Sequence, residues 1–321
     1  MINLRYVYAF TIWPVKLMSP LAVNFPRVFS LALALLLVLA VAFLSSSQAQ
    51  ENPILTSDGQ QYEVQRIISL APHITELLFS VGAGDEIVGT VSFSDYPIQA
   101  NDIPRIGGHN KFNYEEILAL RPTLVIGWNS GNGDKSLSRL RQLGLRVYSF
   151  ESHSLEDVAT SLTVLGELTG NSKRGNWQAK QFRQRLNVLS TLYSKVKPVS
   201  VYYQLWNEPQ MTINDEHLIS DVIRLCGGRN IYADAVPLIP KVGIESIVRR
   251  TPEVIIAAGT SKEAPEWLDD WRDWSSIPAV KHNHLYHVHS DLLHRHSVRI
   301  LDGAEQVCEI LSTTRQLITE N

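Results

Sequence analysis

NYEEILALRPTLVIGW (residues 113–128) sets a helical pattern, a proline and an apolar run in succession. TLVIGW (123–128) reads as a continuous apolar strand, as in a parallel sheet buried on both faces. YEEILAL before it is a helix, stopped by Arg121-Pro122 because proline disfavours helical backbone at the residue preceding it. The same order returns in VGIESIVRRTPEVIIAAG (242–259). Glu115 lies seven residues before Pro122, and Glu245 lies seven before Pro252. Helix–proline–strand is a common unit, so coincidence is the alternative. Here helix, proline and strand all align, and the reading is an internal half-repeat that predicts two similar lobes.

The pattern extends outward on both sides. RIISL (66–70), EIVGT (86–90) and RVYSF (146–150) are further strands in the first half, separated by helices in HITELLFSVGAG, SLSRLRQLG and LEDVATSLTVLGELTG. The second half runs VYYQLW (201–206), helix HLISDVIRLCGG, helix GIESIVRR, strand EVIIAAG (253–259), a Trp-rich helix around 266–274, strand LYHVH (285–289) and a last helix to about Leu317. Strands alternating with helices predict an α/β fold with mostly parallel sheets. Residues 171–198 carry no strand signal, and Phe182, Leu186, Leu189 and Leu192 recur at helical spacing. That stretch is expected to be a single long bridging helix of about 30 Å. The expected division is therefore a leader at 1–49, an N-terminal lobe at 64–170, the bridge at 171–198 and a C-terminal lobe at 199–321.

Composition narrows the function classes. The 321 residues are 45% hydrophobic and 19% charged, with net charge −3, which describes a globular chain. No basic block supports a nucleic-acid or polybasic membrane surface. Arg27, the apolar run 28–44 and the small residues of Ser47-Gln48-Ala49 read as an export signal cut near Ala49. A retained anchor is the alternative, and residues 1–17 are unusual for such a leader, which leaves Met18 as a second start. An exported chain sits in an oxidising compartment, where Cys226 and Cys308 are expected to form a disulfide rather than two buried thiols.

HNHLYHVHSDLLHRH (282–296) holds six of the ten histidines. Strand alternation puts His287 and His289 on one face with Leu285, and His284 on the other with Tyr286 and Val288. His282 falls before the strand, and His294 and His296 after it. The six therefore do not converge as a three- or four-ligand zinc site requires. His294 and His296 are the better candidates for contacts at a pocket rim.

RIISLAPHITELLFSVGAGDEIVGTVSFSDYP, RIGGHNKFNYEEILALRPTLVIGW, LCGGRNIYAD and SDLLHRHSVRILDGAEQVC together resemble the substrate-binding proteins of cobalamin ABC importers. These lie within a wider group that also takes ferric siderophores and haem. The likeness spans about Arg66 to Leu317, and FSDYP and the paired cysteines point to the cobalamin branch. The resemblance implies two α/β lobes bridged by one stiff helix, a ligand cleft between them that closes little, and a monomeric binder. It implies delivery of the ligand to a permease dimer with ATPase subunits. It also implies that Glu115 and Glu245 dock onto permease arginines, a pairing that is strong when bidentate.

A corrin needs apolar and aromatic walls and a few orienting polar groups. Loops after the strands are the natural place for them. Phe93, Trp128, Asp291 and Arg295 match the family's pocket positions; Tyr96 and Trp206 lie on the same kind of loop. His109, Met211 and Ile239 stand where the resemblance leads one to expect further aromatics, and His109 could bond an amide arm or the cobalt. Core packing is the alternative for each aromatic. No cofactor beyond the ligand and no resident metal is expected. The rival readings are a siderophore or haem binder, a zinc or manganese binder using 282–296, and a periplasmic hydrolase or chelatase. The last finds no G-x-S-x-G, P-loop or H-E-x-x-H motif.

Overall fold

The computed structural model describes residues 65–259 and 265–320. Glu63–Asn321 forms one compact unit. The leader read at 1–49, with its apolar run, lies outside the described residues. Among those described, no helix is long and apolar enough to cross a membrane.

Two four-stranded parallel sheets carry the fold. β1 (Ile67–Ser69), β2 (Ile87–Thr90), β3 (Leu124–Trp128) and β4 (Val147–Phe150) stand in the order β2-β1-β3-β4. β5 (Val199–Gln204), β6 (Gly228–Asn230), β7 (Val254–Gly259) and β8 (Leu285–His289) stand in the order β6-β5-β7-β8. Replacing each strand of the first sheet by the one four places on reproduces the second, so the half-repeat is a repeat of topology. β6 was not foreseen, because Gly-Arg-Asn has no strand propensity; its parallel pairing with β5 makes it a strand.

The helices are α1 (Pro72–Val81), α2 (Tyr114–Ala119), α3 (Asp134–Gln142), α4 (Leu155–Leu168), α5 (Ser172–Tyr193), α6 (Leu218–Leu225), α7 (Ile244–Arg250) and α8 (Ile300–Glu320). The repeat reaches the backbone here. α2 and α7 carry Glu115 and Glu245 in their first turns. After them, Arg121 and Thr251 take left-handed φ of 46° and 45°, each directly before its proline. Proline closes the α region to its predecessor, and the left-handed residue turns the chain into β3 or β7. The Trp-rich segment corrects an expectation: Glu266–Asp273 is a 3₁₀ helix. Its buried Leu268 and Trp271 are three apart, the spacing that aligns on a 3₁₀ turn.

Strand alternation sorts the core. Ile67, Leu124, Ile126, Val201, Tyr203, Val254 and Ile256 face one apolar cluster that runs through α1, α4, α5, α6 and α8 across both lobes. Their neighbours Ile68 and Val125 face an outer cluster on the first lobe, and Tyr202 and Ile255 one on the second. Both sheets are thus covered on both faces, as the apolar strands required.

α5 has 22 residues, about 33 Å of helix. It crosses α4 at Gly166 and Gly175, where a Cβ on Gly175 would stand 2.6 Å from the Leu162 carbonyl oxygen. Only glycine allows that approach. Farther along, Arg185 pairs with Asp302 and Glu305 of α8, both at 2.7 Å. Cys226, capping α6, is bonded to Cys308 within α8 over a separation of 82 residues. In the chain-entropy model such a loop closure contributes about 4 kcal/mol.

Candidate functional site

The C-terminal ends of the strands in both lobes meet at one cleft of about 540 Å³. The first lobe supplies Trp128, at the end of β3, and Glu151, Ser152 and His153, just after β4. The second supplies Leu205 after β5, His217 and Leu218 at the head of α6, Leu238 and Ile239, and His294 and His296 after β8. This is where open parallel sheets place ligands.

Trp128 is a fixed wall. Its indole Nε1–H donates to Glu151 Oε1 at 2.7 Å, and its backbone N–H donates to Asn132 Oδ1 at 2.6 Å. Glu151 Oε2 accepts the Ser130 N–H at 2.8 Å, so one carboxylate positions both the wall and the turn after it. The Asn132 amide also donates to the carbonyl oxygens of Leu70 and His109, which ties the His109 loop to β1.

Beneath this wall lies a group of buried imidazoles. His73, His217 and His296 approach one another, with ring centroids 5.6 Å apart for His73–His296 and 5.8 Å for His217–His296. His73 also meets Trp128 edge-on at 5.1 Å. His294 Nε2 is 3.0 Å from the Tyr203 hydroxyl. Burial, with the charge of Arg295 second, lowers the His73 pKa to about 3. Burial lowers His294 to about 4, and burial with the nearby His294 and His153 lowers His217 to about 4. His296 is held well below its ordinary value by burial and then by His73, His217, His294 and His153. At neutral pH all four are uncharged. Two buried groups on the cleft lining, Ser152 Oγ and His296 Nδ1, have no hydrogen-bond partner among the described residues. No group of three His, Cys, Asp or Glu side chains among those residues is arranged to hold a metal ion.

A second polar cluster joins the lobes. Glu76 of α1, with 1% of its side chain exposed, pairs with Arg295 at 3.1 Å and Arg299 at 2.5 Å, and accepts from Ser297 Oγ at 2.6 Å. Arg295 also binds Asp95 of the first lobe at 2.6 Å and Asp291 at 2.9 Å. Burial alone would raise the Asp95 pKa; the hydrogen bond and charge of Arg295 outweigh it and bring the carboxyl below its usual range. We call this network the interlobe latch.

The structure brings His109, Trp128 and Ile239 together on the cleft, with His294 and His296. Phe93 stands 78% exposed on the loop after β2, with φ 66°. Tyr96, on the same loop, carries the Arg299 guanidinium 3.9 Å from its ring centroid. Trp206 is 60% exposed after β5, and its main chain pairs with Met211. Asp291 and Arg295 belong to the latch and are not among the cleft-lining residues. Glu115 and Glu245 are both exposed. The remaining histidines of 282–296 go elsewhere: His284 Nδ1 lies 3.1 Å from the Glu253 carbonyl oxygen, and His289 Nδ1 accepts the Asp291 N–H at 3.2 Å. Sequence reasoning missed His73, His217, Glu151 and Glu76. Position was the available signal, since His73 follows β1 and His217 heads α6, both beside strand ends.

The family of periplasmic binding proteins matches residues 67–292, and this chain belongs to it. It is 38% identical over 259 residues to the vitamin B12-binding protein of Vibrio cholerae serotype O1, covering 80% of this chain and 93% of that one. The vitamin B12-binding protein of Yersinia pestis (strain Pestoides F) is 31% identical, over 84% and 93%. Among solved structures, the periplasmic vitamin B12 binding protein BtuF of Vibrio cholerae superposes with a TM-score of 0.73 at 37% identity, covering 78% of this chain and 98% of that one. The periplasmic heme-binding protein RhuT from Roseiflexus sp. RS-1 gives 0.70 at 22% identity, over 79% and 100%, and shares the fold.

Proposed function

We propose that this protein captures cobalamin or a related corrinoid in the interlobe cleft and delivers it, in the periplasm, to an ABC permease. The observation that carries the reading is the cleft itself. It opens at the facing strand ends of two repeated lobes, with an anchored Trp128, apolar Leu205, Leu238 and Ile239, and neutral polar groups. A large, uncharged, amide-bearing ring suits such a lining. The identity to proteins named for vitamin B12 supports the same ligand. Phe93, Tyr96, Trp206 and Met211, on loops at the same strand ends, are proposed to cover the edges of the bound ring. Arg295 and Asp291 act by holding the lobes in register.

Glu115 and Glu245 are proposed to dock on the permease. Exposed carboxylates at equivalent places on two repeated lobes match a twofold partner. Binding and release complete the role; no chemistry on the ligand is proposed. Calorimetric titration of the mature protein with cyanocobalamin, haem, a ferric siderophore and zinc tests the ligand. One-to-one corrinoid binding is expected. Zinc or haem binding without corrinoid binding would overturn the reading. Glu115→Ala with Glu245→Ala should leave corrinoid affinity intact and abolish uptake into cells; loss of affinity would refute the docking role.

A further inference from the structure

Among the imidazoles packed beneath Trp128, His296 is the one with a buried ring nitrogen that has no hydrogen-bond partner among the described residues. His217 Nδ1 accepts the Ile219 N–H at 3.2 Å, which leaves the proton of the neutral ring on Nε2. His294 is engaged with the Tyr203 hydroxyl. His153 Nδ1 lies 3.2 Å from the Glu216 carbonyl oxygen. His73 packs behind, between Trp128 and His296, and is not part of the cleft lining. His296 is 5% exposed and lines the cleft, and its buried Nδ1 has no hydrogen-bond partner among the described residues. Buried polar groups are nearly always satisfied, so an unpartnered one on a binding surface calls for a ligand.

The chemistry of that ligand follows from two facts about the cleft. A neutral imidazole keeps one ring nitrogen with a free lone pair, which makes it a metal ligand. Yet no third donor is placed to complete a protein-built metal site among the described residues. A six-coordinate metal that arrives with four equatorial donors and one axial donor of its own needs only one more. We propose, on the corrinoid reading above, that His296 is an axial ligand for the cobalt of a bound cobalt(III) corrinoid whose axial position is held by exchangeable water. The cobalt–oxygen bond to water breaks, and a cobalt–nitrogen bond to the imidazole lone pair forms. Water leaves intact, cobalt stays cobalt(III), and no proton or electron is transferred. A corrinoid with a tightly held axial cyanide gains nothing from His296. The cleft therefore selects by axial ligand as well as by ring shape.

The test is a visible-absorption titration of the mature protein with aquocobalamin, and separately with cyanocobalamin, beside calorimetry of the same mixtures. Aquocobalamin with free imidazole supplies the reference spectrum. The wild type is expected to shift bound aquocobalamin to that spectrum at one-to-one stoichiometry and to leave cyanocobalamin unchanged. Aquocobalamin should bind about tenfold or more tighter than cyanocobalamin, a difference of about 1.4 kcal/mol. His296→Ala and His296→Gln should each bind both corrinoids without the shift and with nearly equal affinity. Cyanocobalamin binding reports that either variant is folded. Wild-type binding of aquocobalamin with an unshifted spectrum would overturn the proposal while the transport reading stands. A shift that survives in the variants would also overturn it. Failure to bind any corrinoid would overturn both.

Discussion

Two buried polar clusters lie where the lobes meet, and they are built on opposite plans. In the latch, Glu76 is met by two guanidinium groups and a hydroxyl, and Arg295 by three carboxylates. In the histidine floor the groups are uncharged, and one imidazole and one hydroxyl find no partner among the described residues. A network whose charges are all paired holds a geometry; removing one partner leaves an uncompensated buried charge. A neutral, under-bonded surface keeps its capacity to bind something else. The latch therefore has the design of a structural element, and the floor that of a binding surface.

The largest effect should come from breaking the latch. Glu76→Ala strands Arg299 and leaves Arg295 to Asp95 and Asp291 alone, which should cost about 3–5 kcal/mol of folding stability. Denaturant titration measures it; a loss under 1 kcal/mol would mean that the network is not a structural element. The floor should respond to acid instead. His73, His217 and His294 have pKa values of about 3, 4 and 4 when folded, against 6.5 when free. Below pH 6.5 the unfolded chain takes up protons that the folded one refuses, so stability falls with pH, until about pH 4 for His217 and His294 and lower for His73. Each contributes up to about 1.4 kcal/mol per pH unit. His217→Gln should flatten the slope of stability between pH 6.5 and 4, and an unchanged slope would show that His217 is not held neutral. The smallest expected effect is on binding. Trp128→Ala should weaken corrinoid affinity by about 1 kcal/mol or more through lost aromatic contact. Calorimetry checks it, and unchanged affinity would remove Trp128 from the ligand wall.

The same contrast explains what the chain revealed before folding. Helix, Pro122 and β3 against helix, Pro252 and β7 made the lobes legible, because strand and helix periods are local patterns. Even the bridging helix was visible from Phe182 to Leu192. The latch was not, since Glu76 meets Arg295 and Arg299 across 219 and 223 residues, and no local pattern records that. The floor was half visible. His294 and His296 stood out in a dense histidine run, but His73 and His217 join them only through packing. Other members of the run meet backbone groups, His284 the Glu253 carbonyl oxygen and His289 the Asp291 N–H. Short β6 and the 3₁₀ segment escaped for the opposite reason: tertiary pairing and packing overrode weak local propensity.

The most direct test is a crystal structure of the mature protein with cyanocobalamin bound. The account predicts one corrin ring between the lobes, against Trp128 and Ile239 and over His296, with Glu76 still paired to Arg295 and Arg299. A ring bound outside this cleft, or one seated only after the latch opens, would contradict it.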